Sequence, residues 1–268
     1  VHNYWLVLTP SIFSAAKECR VKTIFTLHNY RLICPGNQLQ RNGKICEACL
    51  RGNPYRVLIH RCFPGKSPLK SFLSLLLYRE TKKRKFLADY IDAYIALSSF
   101  GKRKFIEAGL PEEKVYTKPN FMPDPLQGSQ ADPNEDIGAF YSGRISSEKG
   151  IHTLIKAWQD LDYPLIVAGD GPGLDKMAAN APSSVLFKGW LTQQNTLKDL
   201  RKAAFFIFPS EVYEGFPLSL LEAMALGKAI IASDLGPRRE MIEDGVSGLL
   251  FRAGDAADLR AKVERLVK

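Results

Sequence analysis

Residues 208–236 of the chain are FPSEVYEGFPLSLLEAMALGKAIIASDLG. The segment continues the apolar run Phe205–Phe208 and ends in a second apolar run, Ala229–Ser233. Between the two runs, Pro217 is suited to the first position of a helix that we expect over 218–226. Short, wholly apolar runs on either side of a helix are typical of parallel strands buried on both faces. The segment therefore predicts a strand–loop–helix–strand unit of a doubly wound α/β domain.

The same alternation continues on both sides of this segment, from residue 137 to the last residue. Apolar runs of about five residues recur, each followed by an amphipathic stretch. This pattern predicts a Rossmann-like domain, in which a parallel sheet is covered by helices on both faces. Further strands are expected at 139–142, 164–168, 185–189 and 248–251, and further helices at 151–160, 173–180, 194–203, 237–243 and 256–267.

The N-terminal part of the chain contains fewer such units. Residues 123–136 (PDPLQGSQADPNED) are rich in Pro, Asp, Asn and Gly, which is typical of a linker. We therefore expect an N-terminal domain of residues 1–122, a linker of 123–136 and a C-terminal domain of 137–268. Within the first domain, strands are expected at 23–27, 94–97 and 115–118, and helices at 69–90 and 99–108.

Length and composition are those of an ordinary globular protein. The 268 residues are 46% hydrophobic and 24% charged, and the length suggests two domains. No apolar run approaches the roughly 20 residues that span a bilayer. We therefore expect a cytoplasmic protein without a membrane-spanning helix.

The net charge of +9 is distributed unevenly. Residues 1–125 contain 21 Lys and Arg against 9 Asp and Glu, whereas residues 126–268 contain 16 against 19. A basic N-terminal half predicts an anionic partner, such as a phospholipid surface or a polyprenyl-diphosphate acceptor. No nucleic-acid-binding motif accompanies this charge, so we expect no nucleic-acid partner.

Two carboxylates flank the start of the helix predicted over 218–226. Glu214 falls in the loop before it and Glu222 about one turn into it. The carboxyl edge of a parallel sheet is where such domains bind ligands, and the free N–H groups of a helix N-terminus favour phosphate. The two acids can therefore accept hydrogen bonds from sugar hydroxyls. By spacing alone, a solvated loop with incidental acids is an equal alternative.

The second candidate segment is SGRISSEKG, residues 142–150, which follows the first strand of the same domain. Arg144 and Lys149 are five residues apart in this loop. A guanidinium and an ammonium group together can neutralise a diphosphate. Taken alone, the segment is also consistent with a surface loop that carries two cations.

Together the segments are more specific than either alone. The sequences YSGRISSEKG, VAGDGP, EDGVSGLLF and the segment quoted first follow one another in the order and spacing of a known family. In this combination the chain resembles the retaining GT-B glycosyltransferases of family 4, also called group 1. The resemblance implies two Rossmann-like doubly wound domains, of which the N-terminal one is incomplete here.

The resemblance also implies roles for individual residues. Arg144 and Lys149 match the cations that bind the donor diphosphate and stabilise the leaving group. Glu214 matches the acid that contacts the donor sugar, and Glu222 matches the acid that holds the ribose hydroxyls. Trp190 falls where the family's backbone recognises the base, although we favour plain packing for its side chain. Donor-binding positions are also implied at Gly215, Phe216, Leu218 and Ser219.

In the N-terminal domain, His28 follows the strand predicted at 23–27. The resemblance implies that a histidine at this place reaches the donor sugar near its 6-position. We therefore include His28 with Glu214, Arg144 and Lys149 as the candidate catalytic residues. The alternative is a loop histidine that caps the strand.

Four cysteines cluster within an insertion of residues 34–62, with the spacing C-x11-C-x2-C-x12-C. A Cys-x2-Cys pair with two flanking cysteines suits a structural zinc ion or an iron–sulfur centre. Four unliganded thiols are the alternative. The resemblance implies catalysis without a metal cofactor, so a metal here would have a structural role. The candidate ligands are Cys34, Cys46, Cys49 and Cys62.

Residues 66–86 combine Leu and Phe with seven Lys and Arg. Such a segment either lies on an anionic membrane surface or forms a solvated basic helix. The first alternative predicts peripheral attachment to the inner face of the cell membrane.

The function expected from the resemblance is that of a retaining hexosyltransferase. It would move a hexose from a UDP- or GDP-sugar to the hydroxyl of a glycan or lipid-linked acceptor, in cell-surface polysaccharide or glycolipid assembly. Members of the family are usually longer, so we expect truncation at both ends. The alternative function is therefore a nucleotide-sugar-binding module without transfer activity.

Overall fold

The computed structural model describes residues 1–2, 11–50, 55–60, 62, 68–83, 89–125 and 137–268. The chain divides into two compact units. The first comprises residues 1–120 together with 212–216, and the second comprises 121–211 and 217–268. Most of the predicted linker (126–136) and parts of the cysteine-rich and basic segments (51–54, 61, 63–67 and 84–88) lie outside the described residues.

The second unit is built on a six-stranded parallel sheet with the strand order β11-β10-β9-β6-β7-β8. Its strands are β6 (Ala139–Ser142), β7 (Leu165–Ala168), β8 (Val185–Gly189), β9 (Phe205–Phe208), β10 (Ala229–Ser233) and β11 (Leu249–Phe251). Its helices are α5 (Ile151–Trp158), α6 (Leu174–Ala178), α7 (Gln193–Lys202), α8 (Leu218–Ala225) and α9 (Ala256–Val267).

Each face of this sheet has a core of its own, because successive side chains of a strand point to opposite faces. In β6, Ala139 and Tyr141 pack into one core and Phe140 packs into the other. Strands β7 and β9 are buried along their whole length. The predicted doubly wound α/β architecture is therefore confirmed.

The first unit contains a three-stranded parallel sheet with the order β1-β4-β5. Its core combines residues of β1 and β4, such as Phe25 and Tyr94, with Phe105. The strands are β1 (Ile24–Leu27), β4 (Ala93–Ala96) and β5 (Val115–Thr117), with a short hairpin of β2 (Gln40–Arg41) and β3 (Lys44–Ile45). The helices are α1 (Ser11–Glu18), α2 (Arg56–His60), α3 (Pro68–Lys83) and α4 (Ser99–Glu107).

The loop after β6 depends on a close approach that only glycine permits. Gly150 has φ 72°, and a Cβ atom added to it would lie 2.0 Å from the carbonyl oxygen of Pro209. We expect Gly150→Ala to destabilise the fold by roughly 2–4 kcal/mol, because it combines a left-handed backbone with a steric clash. Urea unfolding monitored by circular dichroism measures this change.

Gly227→Ala is the matched control for Gly150→Ala. Gly227 has φ 65°, but no heavy atom lies within 4 Å of its added Cβ position. This variant should therefore lose only the roughly 1–2 kcal/mol of the backbone penalty. Equal losses for the two variants would contradict the importance of the Pro209 contact.

Candidate functional site

A cavity of about 560 Å³ opens at the carboxyl edge of the six-stranded sheet. The loops that follow β6, β7 and β8 form part of its wall, and the first turns of α7 and α8 complete it. This is the edge at which parallel α/β sheets bind ligands. The lining residues are Ser142, Gly143, Arg144, Ala168, Gly169, Asp170, Trp190, Leu191, Gln193, Thr196, Ser219 and Glu222.

Backbone contacts hold the loops around the cavity together. The N–H of Ile145 donates to the carbonyl of Asp170 (2.9 Å), and the N–H of Gly169 donates to the carbonyl of Gly189 (2.7 Å). A Cβ atom on Gly169 would lie 1.8 Å from the carbonyl oxygen of Gly143. Residue 169 must therefore be glycine for the two loops to approach this closely.

The loop after β6 carries both predicted cations, but only Arg144 lines the cavity. The side chain of Arg144 is exposed, and its carbonyl accepts a hydrogen bond of 2.8 Å from the hydroxyl of Tyr141. Lys149 is half-buried and ends a 3-10 turn, Ser147–Lys149, of the same loop. The arrangement puts an unshielded guanidinium group beside the cavity.

Helix α8 contributes Ser219 and Glu222 to the cavity wall. Pro217 precedes the helix, so the first free backbone N–H groups are those of Leu218 and Ser219. The side chain of Gln193, at the start of α7, donates a hydrogen bond of 3.2 Å to Oε1 of Glu222. Partial burial raises the pKa of Glu222, and this hydrogen bond acts in the opposite direction.

Trp190 does not pack into the core. Its side chain is 72% exposed and lines the cavity directly after β8. The interpretation favoured from the sequence, plain packing, is wrong for this residue. Trp190 follows β8, which is an edge strand whose residues are half-buried or exposed, so the core does not enclose its side chain.

The loop residues Glu214, Gly215 and Phe216 belong to the first unit by their contacts. The side-chain amide of Asn120 donates to the carbonyl of Phe216 (2.7 Å). A Cβ atom on Gly215 would lie 3.3 Å from the carbonyl oxygen of His28. The structure thus brings the loop of Glu214 to the backbone of His28, which sequence spacing does not reveal.

His28 is paired with a second histidine. Nδ1 of His2 lies 2.7 Å from Nε2 of His28, and the ring centroids are 5.0 Å apart. Burial lowers the pKa of His28, and the electrostatic interaction with the neighbouring His2 lowers it further. His28 is therefore suited to hydrogen bonding as a neutral imidazole.

The four cysteines of the insertion are all free thiols. Burial, with the proximity of the other thiols, raises the pKa of Cys49 to about 12 and that of Cys62 to about 11. Across the described ranges, no group of three or more His, Cys, Asp or Glu side chains is placed to hold a metal ion. The structure therefore does not support the predicted zinc or iron–sulfur centre at Cys34, Cys46, Cys49 and Cys62.

Sequence analysis missed several polar residues of the cavity. Ser142 ends β6, and its Oγ is buried with no hydrogen-bond partner among the described residues. Asp170 lies two residues after the end of β7, and Gln193 and Thr196 lie on the first turn of α7. Their positions at strand ends and at a helix start were signals that could have identified them.

In the helices that the structure describes, none has the length and apolarity needed to cross a bilayer.

Parallel sheets flanked by helices, with a polar cavity at a carboxyl sheet edge, define the class of Rossmann-like α/β proteins that includes the GT-B glycosyltransferases. Solved structures of this class share the fold. The Anabaena protein HepE in complex with UDP-glucose superposes with a TM-score of 0.66 at 19% identity, over 97% of this chain and 68% of that one. The apo form of the lipopolysaccharide outer core galactosyltransferase WaaB gives a TM-score of 0.60 at 20% identity, over 96% and 69% of the two chains.

The sequence itself defines the family. The profile described as "Glycosyl transferases group 1" matches residues 125–268, more than half of the chain. The chain therefore belongs to this family.

Curated relatives include the lipopolysaccharide 1,6-galactosyltransferase of Escherichia coli (strain K12), which is 30% identical over 63% of this chain and 52% of its own length. The alpha-D-kanosaminyltransferase of Streptomyces kanamyceticus is 28% identical over 60% of this chain and 47% of its own length. The chain thus spans about half the length of these relatives.

Proposed function

We propose that the protein is a retaining glycosyltransferase of family 4 that transfers a hexose from a UDP- or GDP-sugar to an acceptor hydroxyl. The observation that carries this proposal is the cavity of the second unit, which Arg144, Ser219 and Glu222 all line at the carboxyl edge of the sheet. A cation and the first N–H groups of a helix match the diphosphate of the donor, and a carboxylate matches its sugar hydroxyls.

In this proposal one group of residues holds the nucleoside diphosphate of the donor, and a second group holds the transferred sugar. Arg144, Lys149 and the backbone at Leu218 and Ser219 bind the diphosphate. Glu222 holds the ribose, and Trp190 lies against the base. The loop residues Glu214, Gly215 and Phe216 contact the transferred sugar, and His28 donates or accepts a hydrogen bond near its 6-position.

The chemical step breaks the bond between the anomeric carbon and the diphosphate oxygen. The acceptor oxygen forms the new bond from the same face, and its proton leaves with the diphosphate. Negative charge develops on the leaving group, so preorganised cations and N–H groups beside it lower the barrier. No metal cofactor is required in this step, because Arg144 and Lys149 supply the positive charge.

The acceptor class is proposed from the relatives. Named relatives act in lipopolysaccharide and amylovoran assembly. A glycan or lipid-linked acceptor in cell-surface polysaccharide or glycolipid assembly is the corresponding proposal for this chain. With such an acceptor, the protein would act in the cytoplasm at the inner face of the cell membrane.

Calorimetry with UDP-glucose, UDP-galactose and GDP-mannose tests donor binding, and a product assay with glycan and lipid-linked acceptors then tests transfer. We expect one nucleotide series to bind and its sugar to be transferred. Binding without transfer would support the alternative of a nucleotide-sugar-binding module. Failure of all three donors to bind would contradict the proposed site.

The hydrogen bond between Gln193 and Glu222 provides a narrower test. We expect Gln193→Leu to weaken binding of the nucleotide product up to about 10-fold, because one hydrogen bond to a ribose-binding carboxylate is lost. Since that bond lowers the pKa of Glu222, its removal raises the pKa further. If ribose binds the ionised carboxylate, affinity falls as the pH drops through this pKa, and the fall should begin at a higher pH in the variant.

Titration of UDP and GDP binding from pH 5 to pH 8 measures both effects. Gln194→Leu is the matched control, since Gln194 is exposed on the same helix and does not line the cavity. Identical pH profiles for the wild type and the Gln193 variant would exclude a role of Gln193 in positioning Glu222.

A further inference from the structure

The second unit contains another cavity, of about 480 Å³, which shares no lining residue with the cavity proposed to bind the donor. Its walls are formed by α5, by α6 and by the residues that flank these two helices. This volume is in the range of pockets that hold small organic ligands. We call it the second cavity, and it is a candidate binding site separate from the donor cavity.

The charged side chains of the second cavity are cationic. Lys156 of α5 and Lys176 of α6 line it, as does the imidazole of His152, and no Asp or Glu of the described residues does so. Within the described part of the chain, neither lysine ammonium has a hydrogen-bond or ion-pair partner. Asp255 interacts electrostatically with Lys156, but its carboxylate forms an ion pair of 2.9 Å with Arg252. A cavity lined by one sign of charge attracts a ligand of the opposite sign, here an anion.

The uncharged lining residues indicate what the rest of such a ligand is. The amide side chains of Gln159 and Asn180 line the cavity, and amides both donate hydrogen bonds to hydroxyl groups and accept them. The buried Ile155 and the half-buried Met177 add a small apolar surface. No Phe, Tyr or Trp of the described residues lines the cavity, so it lacks the large aromatic ring on which a nucleobase would stack. The lining therefore fits a hydroxyl-rich body better than a nucleoside.

Close backbone contacts shape the second cavity before any ligand enters. The loop after β6 contributes to both cavities, because Arg144 lines the donor cavity and Ile145 lines the second one. The N–H of Ile145 donates to the carbonyl of Asp170 (2.9 Å), and a Cβ atom on Gly171 would lie 2.1 Å from the carbonyl oxygen of Ile145. A preformed site of this kind binds its ligand without the cost of ordering a loop.

We propose that the second cavity binds a sugar phosphate. The ammonium groups of Lys156 and Lys176, with the imidazole of His152, hold the phosphate, since two cations match the charge of a phosphomonoester. The amides of Gln159 and Asn180 bond to the sugar hydroxyls. None of these residues is proposed to bind the donor, so the site stands independently of the proposed function.

Calorimetry with glucose 6-phosphate tests the proposal, with inorganic phosphate and glucose as comparison ligands. The full chain should bind glucose 6-phosphate more tightly than inorganic phosphate and should not bind glucose measurably. The double variant Lys156→Gln and Lys176→Gln should bind glucose 6-phosphate at least about 10-fold more weakly, because hydrogen bonds from two charged donors are lost. Both lysines are exposed, so we expect the variant to fold, and circular dichroism verifies this.

Two further variants separate the second cavity from the donor cavity. Arg144→Ala should bind glucose 6-phosphate as the wild type does, since Arg144 does not line the second cavity. Lys198→Gln is the matched control for the lysine variant, because Lys198 is exposed on α7 and lines neither cavity. Its affinity should also equal that of the wild type.

Three results would overturn the proposal. Weakened binding by Arg144→Ala would assign the phosphate to the donor cavity. Unchanged binding by the double lysine variant would remove the second cavity as the site. Equal affinities for glucose 6-phosphate and inorganic phosphate, or no binding of either, would exclude a sugar phosphate as its ligand.

Discussion

Replacement of Arg144 with alanine should reduce kcat/KM for sugar transfer by roughly 10²–10³-fold, the range seen when one preorganised charge-stabilising group is removed from an active site. Arg144 lines the cavity with its side chain exposed, so its guanidinium is available to a diphosphate. Two parallel hydrogen bonds from a guanidinium to phosphate oxygens are stronger than neutral ones. In the proposed function the diphosphate is present in both donor and product, so the variant should also bind the nucleoside diphosphate more weakly.

Steady-state kinetics and calorimetry with the nucleoside diphosphate measure the two effects. Arg265→Ala is the matched control, since Arg265 is exposed near the end of α9, outside the cavity lining. Near-normal turnover of Arg144→Ala would contradict the assignment.

Lys149→Ala should also abolish transfer if the two cations act together. Because Lys149 is half-buried, this variant tests whether the loop after β6 brings the charges of both Arg144 and Lys149 to the diphosphate.

Glu214→Ala is expected to abolish transfer while leaving nucleotide binding almost unchanged. In the proposed function Glu214 accepts hydrogen bonds from the hydroxyls of the transferred sugar, and a charged acceptor contributes roughly 1.5–3 kcal/mol for each such bond. The sugar then loses its orientation relative to the acceptor, and loss of orientation alone costs about 100-fold. The nucleoside diphosphate, which lacks the sugar, does not use this carboxylate.

The contrast between the two variants is the informative measurement. Calorimetry should show normal binding of the nucleoside diphosphate by Glu214→Ala and weak binding by Arg144→Ala. The control variant is Glu113→Ala, in which an exposed carboxylate of the first unit is removed. If Glu214→Ala weakened nucleoside diphosphate binding as strongly as Arg144→Ala does, the division of roles would be wrong.

The strands and helices of the second unit could be predicted almost completely. Most of its strands are short apolar runs between polar turns, and this local signal does not depend on distant residues. The predictions at 139–142, 185–189 and 229–233 agree with β6, β8 and β10 to the residue. The helix predicted at 237–243 is instead the 3-10 helix Gly236–Glu240, because Pro237 and the buried Arg238 hold this turn in a tighter geometry.

Less of the candidate site than of the fold could be predicted from the sequence. Arg144, Ser219 and Glu222 were predicted, since they lie in segments with characteristic spacing, and the structure places all three in one cavity. Gln193 was missed because its contact with Glu222 joins two residues that are 29 positions apart and lie on different helices. The cysteine spacing predicted a metal, but spacing does not fix the directions of four side chains, and the structure does not arrange them around an ion.

By itself, the sequence determined the class of fold, the family and the segments that carry the candidate donor site. Apolar periodicity, glycines at turns and the placement of charges after strands act over a few residues, so they can be recognised without coordinates. Only the tertiary structure decided which residues share the cavity, that Trp190 is exposed, and that large apolar side chains of α3 such as Phe72 and Leu73 face solvent. Exposure and contact depend on what packs against each side chain, and the packing partners come from distant parts of the chain.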